Sequence, residues 1–197
     1  MTRMVGPDAP LAEAPDEVLV AAARQGDLLA WERLVRRYQE EAFRIAYLIG
    51  RTMHLAEASV EAAFIRAYRA LPSLAEGSPA RPWLLRITAA EARQRRRAAG
   101  RPRLSSRPDE PRHMPRIPAS RLAGGEAFDA LTPAQREEVV VAFDRLSEDD
   151  RLLIATRYLL LMSRTEAAAA LAIPERSVDD RLRTAVSRMR SRLGDQR

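Results

Sequence analysis

The sequence predicts an all-α protein, built as two small helical domains joined by a Pro/Arg-rich linker. Three observations carry that expectation. Apolar residues recur at spacings of three and four along most of the chain, and no stretch shows the alternation of a strand. Aromatic residues are 5% of the 197 residues, so the cores must rest on Leu, Val, Ile and Ala, of which Leu and Ala are strong helix formers. The stretch 99–131 holds Pro102, Pro108, Pro111, Pro115 and Pro118 among many Arg and Ser, without any apolar period.

Residues 1–15, rich in Ala and Pro, are read as a disordered tail. The first domain, 16–98, opens with a short helical segment that turns Val18, Leu19 and Ala22 inward and breaks at Gly26. Asp27 then serves as N-cap of a long amphipathic helix with Trp31, Leu34, Val35, Tyr38, Ala42, Ile45, Ala46 and Ile49 on one stripe, and Gly50 supplies the stop. A third helix, from about Ala56 to Leu71, faces Val60, Ala63, Phe64, Ala67 and Tyr68 inward and ends at Pro72. A fourth begins near Trp83, buries Leu84 and Ile87, and finishes on Arg93, Arg95, Arg96 and Arg97.

Beyond the linker, the second domain (132–197) starts at Thr132-Pro133, an N-cap followed by proline in the first helical position, and that helix runs to about Phe143. Ser147-Glu148-Asp149-Asp150 opens the next helix, which carries Leu152, Leu153, Ala155, Thr156 and Leu159 into the core. Ser163-Arg164-Thr165-Glu166 has the form of a capping box. Its short helix ends near Leu171, Ala172-Ile173-Pro174 makes a turn, and a final helix places Val178, Leu182, Val186, Met189 and Leu193 at heptad-like spacing. A short capped helix, a three-residue turn and a longer Arg-rich helix form a helix-turn-helix layout. Ser177, Asp179, Asp180, Arg181, Arg183, Thr184 and Arg188 then face outward; the plainer alternative is an αα-hairpin with solvated charges.

Composition narrows the function classes. The net charge is +6, and all 33 basic residues are arginine. A basic balance is the electrostatic footprint of a nucleic-acid binder, and the guanidinium fork suits phosphate and guanine. The absence of cysteine removes disulfides, thiolate zinc sites and Cys nucleophiles. His54 and His113 have no supporting ligand pattern, so no metal and no cofactor is assigned. No nucleophile or Gly-rich phosphate loop points to an enzyme. The lack of a bilayer-length apolar run or a signal-like N-terminus leads to an expectation of a cytoplasmic protein without a membrane partner.

Several runs resemble the sigma-70 family of bacterial transcription initiation factors, in its short extracytoplasmic-function form. Leu146 to Arg151, continuing through Arg157-Tyr158, is similar to the opening of sigma region 4, and Met162 to Leu182 is similar to its helix-turn-helix, with a matching tail over Ala185–Leu193. Asp27 to Tyr38 resembles the start of sigma region 2, Ala63 to Pro72 its clamp-binding helix, and Trp83-Leu84-Leu85-Arg86-Ile87 with the Arg-rich end the segment that melts and reads the minus-ten element.

The resemblance implies a sigma region 2 helical bundle and a sigma region 4 helix-turn-helix. It also implies a factor that binds core RNA polymerase at the β′ clamp and β flap, directs promoter recognition and DNA opening, and has an anti-sigma factor as a further partner. It places DNA contacts at Trp83, Arg86, Arg93, Arg95, Arg96, Arg97, Arg176, Ser177, Asp180, Arg181, Arg183, Thr184 and Arg188. Polymerase contacts fall at Glu57, Glu61, Phe64 and Arg66. The chain departs from the family at Ala58, Glu61 and Ala62, where an acidic, glutamine-bearing stretch is usual, at Ala90 and Gln94, and at Asp179-Asp180, where a Lys-Ser pair is common. The acidic pair and the loss of the acidic, glutamine-bearing stretch motivate an alternative: a degenerate sigma-like protein that binds polymerase or an anti-sigma partner without reading promoters. A stand-alone helix-turn-helix repressor comes third, because the first domain argues against it.

Overall fold

The computed structural model describes residues 14–100 and 132–194; the expectations for the N-terminal tail up to residue 13 and for the linker over 101–131 lie outside the described residues. Within them every regular element is helical: α1 (Asp16–Arg24), α2 (Leu28–Gly50), α3 (Met53–Ala70), α4 (Ala80–Ala98), α5 (Pro133–Asp144), α6 (Glu148–Ile154), α7 (Arg164–Leu171) and α8 (Val178–Gly194).

Local hydrogen-bond chemistry starts most of these helices where the sequence places them. Asp27 accepts from the amides of Leu29 and Ala30 (2.9 and 3.1 Å). Ser147 accepts from Asp150 N (3.1 Å) and caps α6. Both Thr132 with Gln135 and Ser163 with Glu166 close capping boxes, each pair satisfying two otherwise free backbone donors. Helix α3 begins three residues ahead of its expected start because Thr52 caps it, accepting from Leu55 N (3.2 Å). Helix α4 also begins early, at Ala80. Pro82 sits in its first turn, where an amide hydrogen has no intrahelical acceptor to lose.

Tertiary packing overrides the sequence expectation at four places. In α1 the inward stripe is Leu19, Val20 and Ala23, while Val18 is 45% exposed. The stop after α2 is not a glycine in the left-handed region: Arg51 adopts it (φ 64°), and Gly50 is the last helical residue. Gly50 serves close approach instead, since a Cβ there would stand 3.0 Å from Leu55 Cβ. Gly50→Val should therefore lower stability by about 1–3 kcal/mol, as measured by chemical denaturation; an unchanged midpoint would show that α3 yields. Helix α6 passes directly into a π turn, Ala155–Leu159, with Leu160 N donating to Ala155 O (2.9 Å). Finally, in α8 the fully buried anchors are Val178 and Ala185, with Leu182, Val186 and Met189 only half-buried.

Helices α2, α3 and α4 pack on one another, α1 covers α2, and α7 lies against α4. One continuous core includes Ile45, Ile49, Leu71 and Leu85 from the first bundle and Leu152, Leu159, Met162 and Ala167 from the second. The contact explains why the C-terminal turns of α2 are buried on every side, Arg44 to Gly50 included. Two smaller clusters, around Leu146, Ile154 and Ala185 and around Leu153, Ala168 and Val178, hold the helix-turn-helix together.

Candidate nucleic-acid interface

Helix α4 carries the first set of expected contacts. Trp83 is half-buried and packs against the main core beside Val20, Trp31, Tyr38 and Leu71. It stands ten residues before Arg93, about 15 Å along the helix axis, so the indole and the arginine cluster occupy different ends of one element. Arg86 and Arg97 are exposed and form no ion pair with any described residue. Arg95 is half-buried, with its Nε lacking a hydrogen-bond partner.

Arg93 and Arg96 are already engaged. Arg93 Nε donates to Glu148 Oε1 (2.8 Å), and its Nη2 lies 3.6 Å from Asp149 Oδ1. Arg96 Nη1 pairs with the other oxygen of the same carboxylate, Glu148 Oε2, and donates to Ile49 O (3.4 Å). Glu148 stands in the first turn of α6, where the helix dipole favours a carboxylate.

The second set surrounds the helix-turn-helix. Ala172 takes the left-handed conformation (φ 55°) that ends α7, Ile173 N donates to Ala168 O (3.0 Å), and a short 3₁₀ turn, Glu175–Ser177, leads into α8. Arg176 and Arg181 are exposed and pair with no described residue. Ser177 Oγ donates to Pro174 O (2.7 Å) and Thr184 Oγ1 to Asp180 O (2.9 Å), so both hydroxyls already serve the local backbone. Arg188 Nη1 pairs with Asp150 Oδ2 (2.8 Å).

The acidic pair on α8 is neutralised from within. Asp180 pairs with Arg183 one turn on, and Asp179 lies 3.3 Å from Arg164 Nη1, which also holds Glu175 through its Nε (3.1 Å). Asp180, Arg181, Thr184 and Arg188 share a groove of about 520 Å³ with Arg93 of α4. Leu152, Leu153, Leu171 and Ile173 line its apolar part; Arg93, Arg181 and Arg188 are balanced there by Asp149, Asp150 and Asp180. The groove thus joins one arginine of the α4 set, Arg93, to two of the second set, Arg181 and Arg188.

On α3, Glu57 and Glu61 are exposed, and Ile65, one further turn along, adds an apolar residue that is 48% exposed. Arg66 is exposed but pairs with Glu91 (2.7 Å), fastening α3 to α4. Phe64 is 8% exposed and sets its ring edge-on to Trp31 at 6.2 Å, so it supports this surface from the core and does not present itself on it.

Sequence reasoning missed Glu148, Arg81 and Arg151 as residues that join the two bundles. Arg81 grips Glu41 with two bonds (2.9 Å each), donates to Leu160 O and approaches Glu166 Oε1 (3.6 Å). Burial alone would raise the pKa of Glu166, but the hydrogen bonds from Ser163 and the Arg81 charge hold its carboxyl below the usual range. No metal-ligand cluster occurs among the described residues, and no helix among them is long and apolar enough to cross a membrane.

Residues 34–102 match the family model for Sigma-70 region 2. The chain is 32% identical over 177 residues to the ECF RNA polymerase sigma-E factor of Escherichia coli (strain K12), covering 85% of this chain and 88% of that relative. It is 30% identical over 137 residues to the ECF RNA polymerase sigma factor SigE of Mycolicibacterium smegmatis (strain ATCC 700084 / mc(2)155), covering 63% of this chain and 52% of that one. Its fold is similar to CnrH, solved in complex with the cytosolic domain of CnrY (TM-score 0.66, 22% identity, 92% of this chain and 99% of that chain). It is also similar to the sigma factor RpoE of Bartonella quintana, solved with the anti-sigma factor NepR (TM-score 0.58, 19% identity, 84% and 98%).

Proposed function

Because this chain belongs to the ECF family of RNA polymerase sigma factors, which direct transcription initiation, we propose that it works in the cytoplasm, without catalysis of its own, by dividing polymerase docking and promoter contact between two helical units. Residues 16–98 act as the region 2 unit and 132–197 as the region 4 unit. The Glu57, Glu61 and Ile65 stripe of α3 docks on the β′ clamp, and region 4 approaches the β flap. Arg86, Arg95 and Arg97 hold the opened minus-ten strand, with Trp83 at the near end of α4. Arg176, Arg181 and Arg183 set register on the upstream duplex. An anti-sigma factor is the further partner, as it is for the Bartonella quintana protein.

The observation that carries this reading is the presence of exposed arginines without an ion pair to any described residue, Arg86 and Arg97 on α4, Arg181 on α8 and Arg176 in the turn before it. One motive for the degenerate alternative was repulsion by Asp179 and Asp180, and their pairing with Arg164 and Arg183 weakens that motive; the other, the altered stretch at Ala58, Glu61 and Ala62, stands. Transcription in vitro with core polymerase on the gene's own upstream DNA tests the proposal: initiation should be position-specific. Replacing Arg176 and Arg181 with Ala should flatten the slope of log affinity against log salt on duplex DNA by about 0.9 per lost phosphate contact. Polymerase binding without positioned initiation would leave only the degenerate reading.

A further inference from the structure

We propose that Glu148 stands in for a nucleic-acid phosphate on α4, so that the N-terminus of α6 masks, within the same chain, an anion site made by Arg93 and Arg96. The inference rests on the assignment of α4 as a DNA-contacting helix. Each oxygen of one carboxylate takes one guanidinium: Oε1 accepts from Arg93 Nε at 2.8 Å, and Oε2 pairs with Arg96 Nη1. Two fixed donors converging on two oxygens of one anion is the arrangement that also binds two phosphate oxygens. The site is preset from behind, because Ile49 O accepts from Arg96 and the last turns of α2 are buried.

The mask is itself well held. Glu148 has a side-chain exposure of 15%, Ser147 caps its helix, and two further carboxylates, Asp149 and Asp150, stand beside it in the same turn. Asp149, whose side chain is 81% exposed, lines the adjoining groove with Arg93, so a polyanion approaching Arg93 meets that carboxylate beside the seated Glu148, while Asp150 is held by Arg188. DNA and α6 therefore compete for the same two side chains. The apparent affinity of α4 for DNA falls by the fraction of molecules in which Glu148 is seated.

The test uses the full-length protein and fluorescent single-stranded and duplex oligonucleotides, read by anisotropy at low salt. Glu148→Gln keeps the shape and removes the charge; Glu148→Ala empties the position. Asp144→Asn removes an equal charge from another contact between the bundles, the Arg51–Asp144 pair (2.9 Å), without touching Arg93 or Arg96. Both Glu148 variants should bind DNA about fivefold to tenfold more tightly than the parent, and Asp144→Asn by less than about twofold. Adding Arg93→Ala and Arg96→Ala to Glu148→Gln should abolish the gain. Equal effects of Glu148→Gln and Asp144→Asn, or none from either Glu148 variant, would overturn the mask. The underlying DNA reading is judged separately, by Arg86→Ala with Arg97→Ala in polymerase-bound protein on promoter DNA: weakened binding there keeps that reading even when the mask has failed, and unchanged binding removes both.

Discussion

Truncating Leu152 to alanine is expected to lower the unfolding free energy by about 3–5 kcal/mol, the lost transfer energy together with a cavity that rigid neighbours fill only in part. Leu152 is 0% exposed and sits in the core shared by the two bundles, where Ile49 and Leu85 also lie. Small domains hold about 5–15 kcal/mol in all, so this one substitution removes a large share. Because the core is shared, urea unfolding followed by circular dichroism should show one transition for both bundles, shifted to lower midpoint with unchanged slope. Val140→Ala, at a 53% exposed position of α5, is the control and should shift nothing measurable. A loss below about 1 kcal/mol for Leu152→Ala, or two transitions of which only one moves, would show that the bundles do not share that core energetically.

Arg151→Met should cost about 2–3 kcal/mol through backbone carbonyls left without donors. Arg151 is 8% exposed, yet its guanidinium reaches three carbonyls: Leu146 O at 2.7 Å, Asp144 O at 3.2 Å and Leu48 O at 3.3 Å. Two of these follow or end α5, and the third belongs to the buried end of α2. Burial, followed by repulsion from Arg51, pushes the Arg151 pKa down, while Asp144 and Glu148 offset part of that cost. Methionine fills much of the same volume and satisfies none of the acceptors, which isolates the hydrogen bonds from the packing. Arg151→Lys should recover only part of the loss, since an ammonium is a point donor and cannot span acceptors from two bundles as a planar fork does. The check is the midpoint of chemical denaturation for the two variants. Equal stability of the methionine variant and the parent would mean that water replaces the arginine at all three carbonyls.

What the sequence determined by itself is the set of helices and the chemistry of their ends. Asp27, Thr132, Ser147 and Ser163 were legible as caps because each acts on amides two or three residues away, so cause and consequence lie within one turn of sequence. The helix-turn-helix, the arginine-bearing helices and the family resemblance were legible on the same local grounds.

The tertiary structure alone decided which charges are spent. Arg93, Arg96 and Arg97 read alike in sequence, as one basic helix end. Only the approach of Glu148, more than fifty residues along, pairs the first two and leaves the third in solvent. Gly50 and Arg51 make the same point for the backbone: the local rule assigns the left-handed position to glycine, but contact with Leu55 requires the missing side chain at Gly50 and moves the turn to Arg51. Caps and periodicity are short-range and therefore written into the chain in order. Ion pairs between bundles depend on distances that packing sets, and an arginine bound to a distant carboxylate carries no mark in its own neighbourhood to tell it from one that is free.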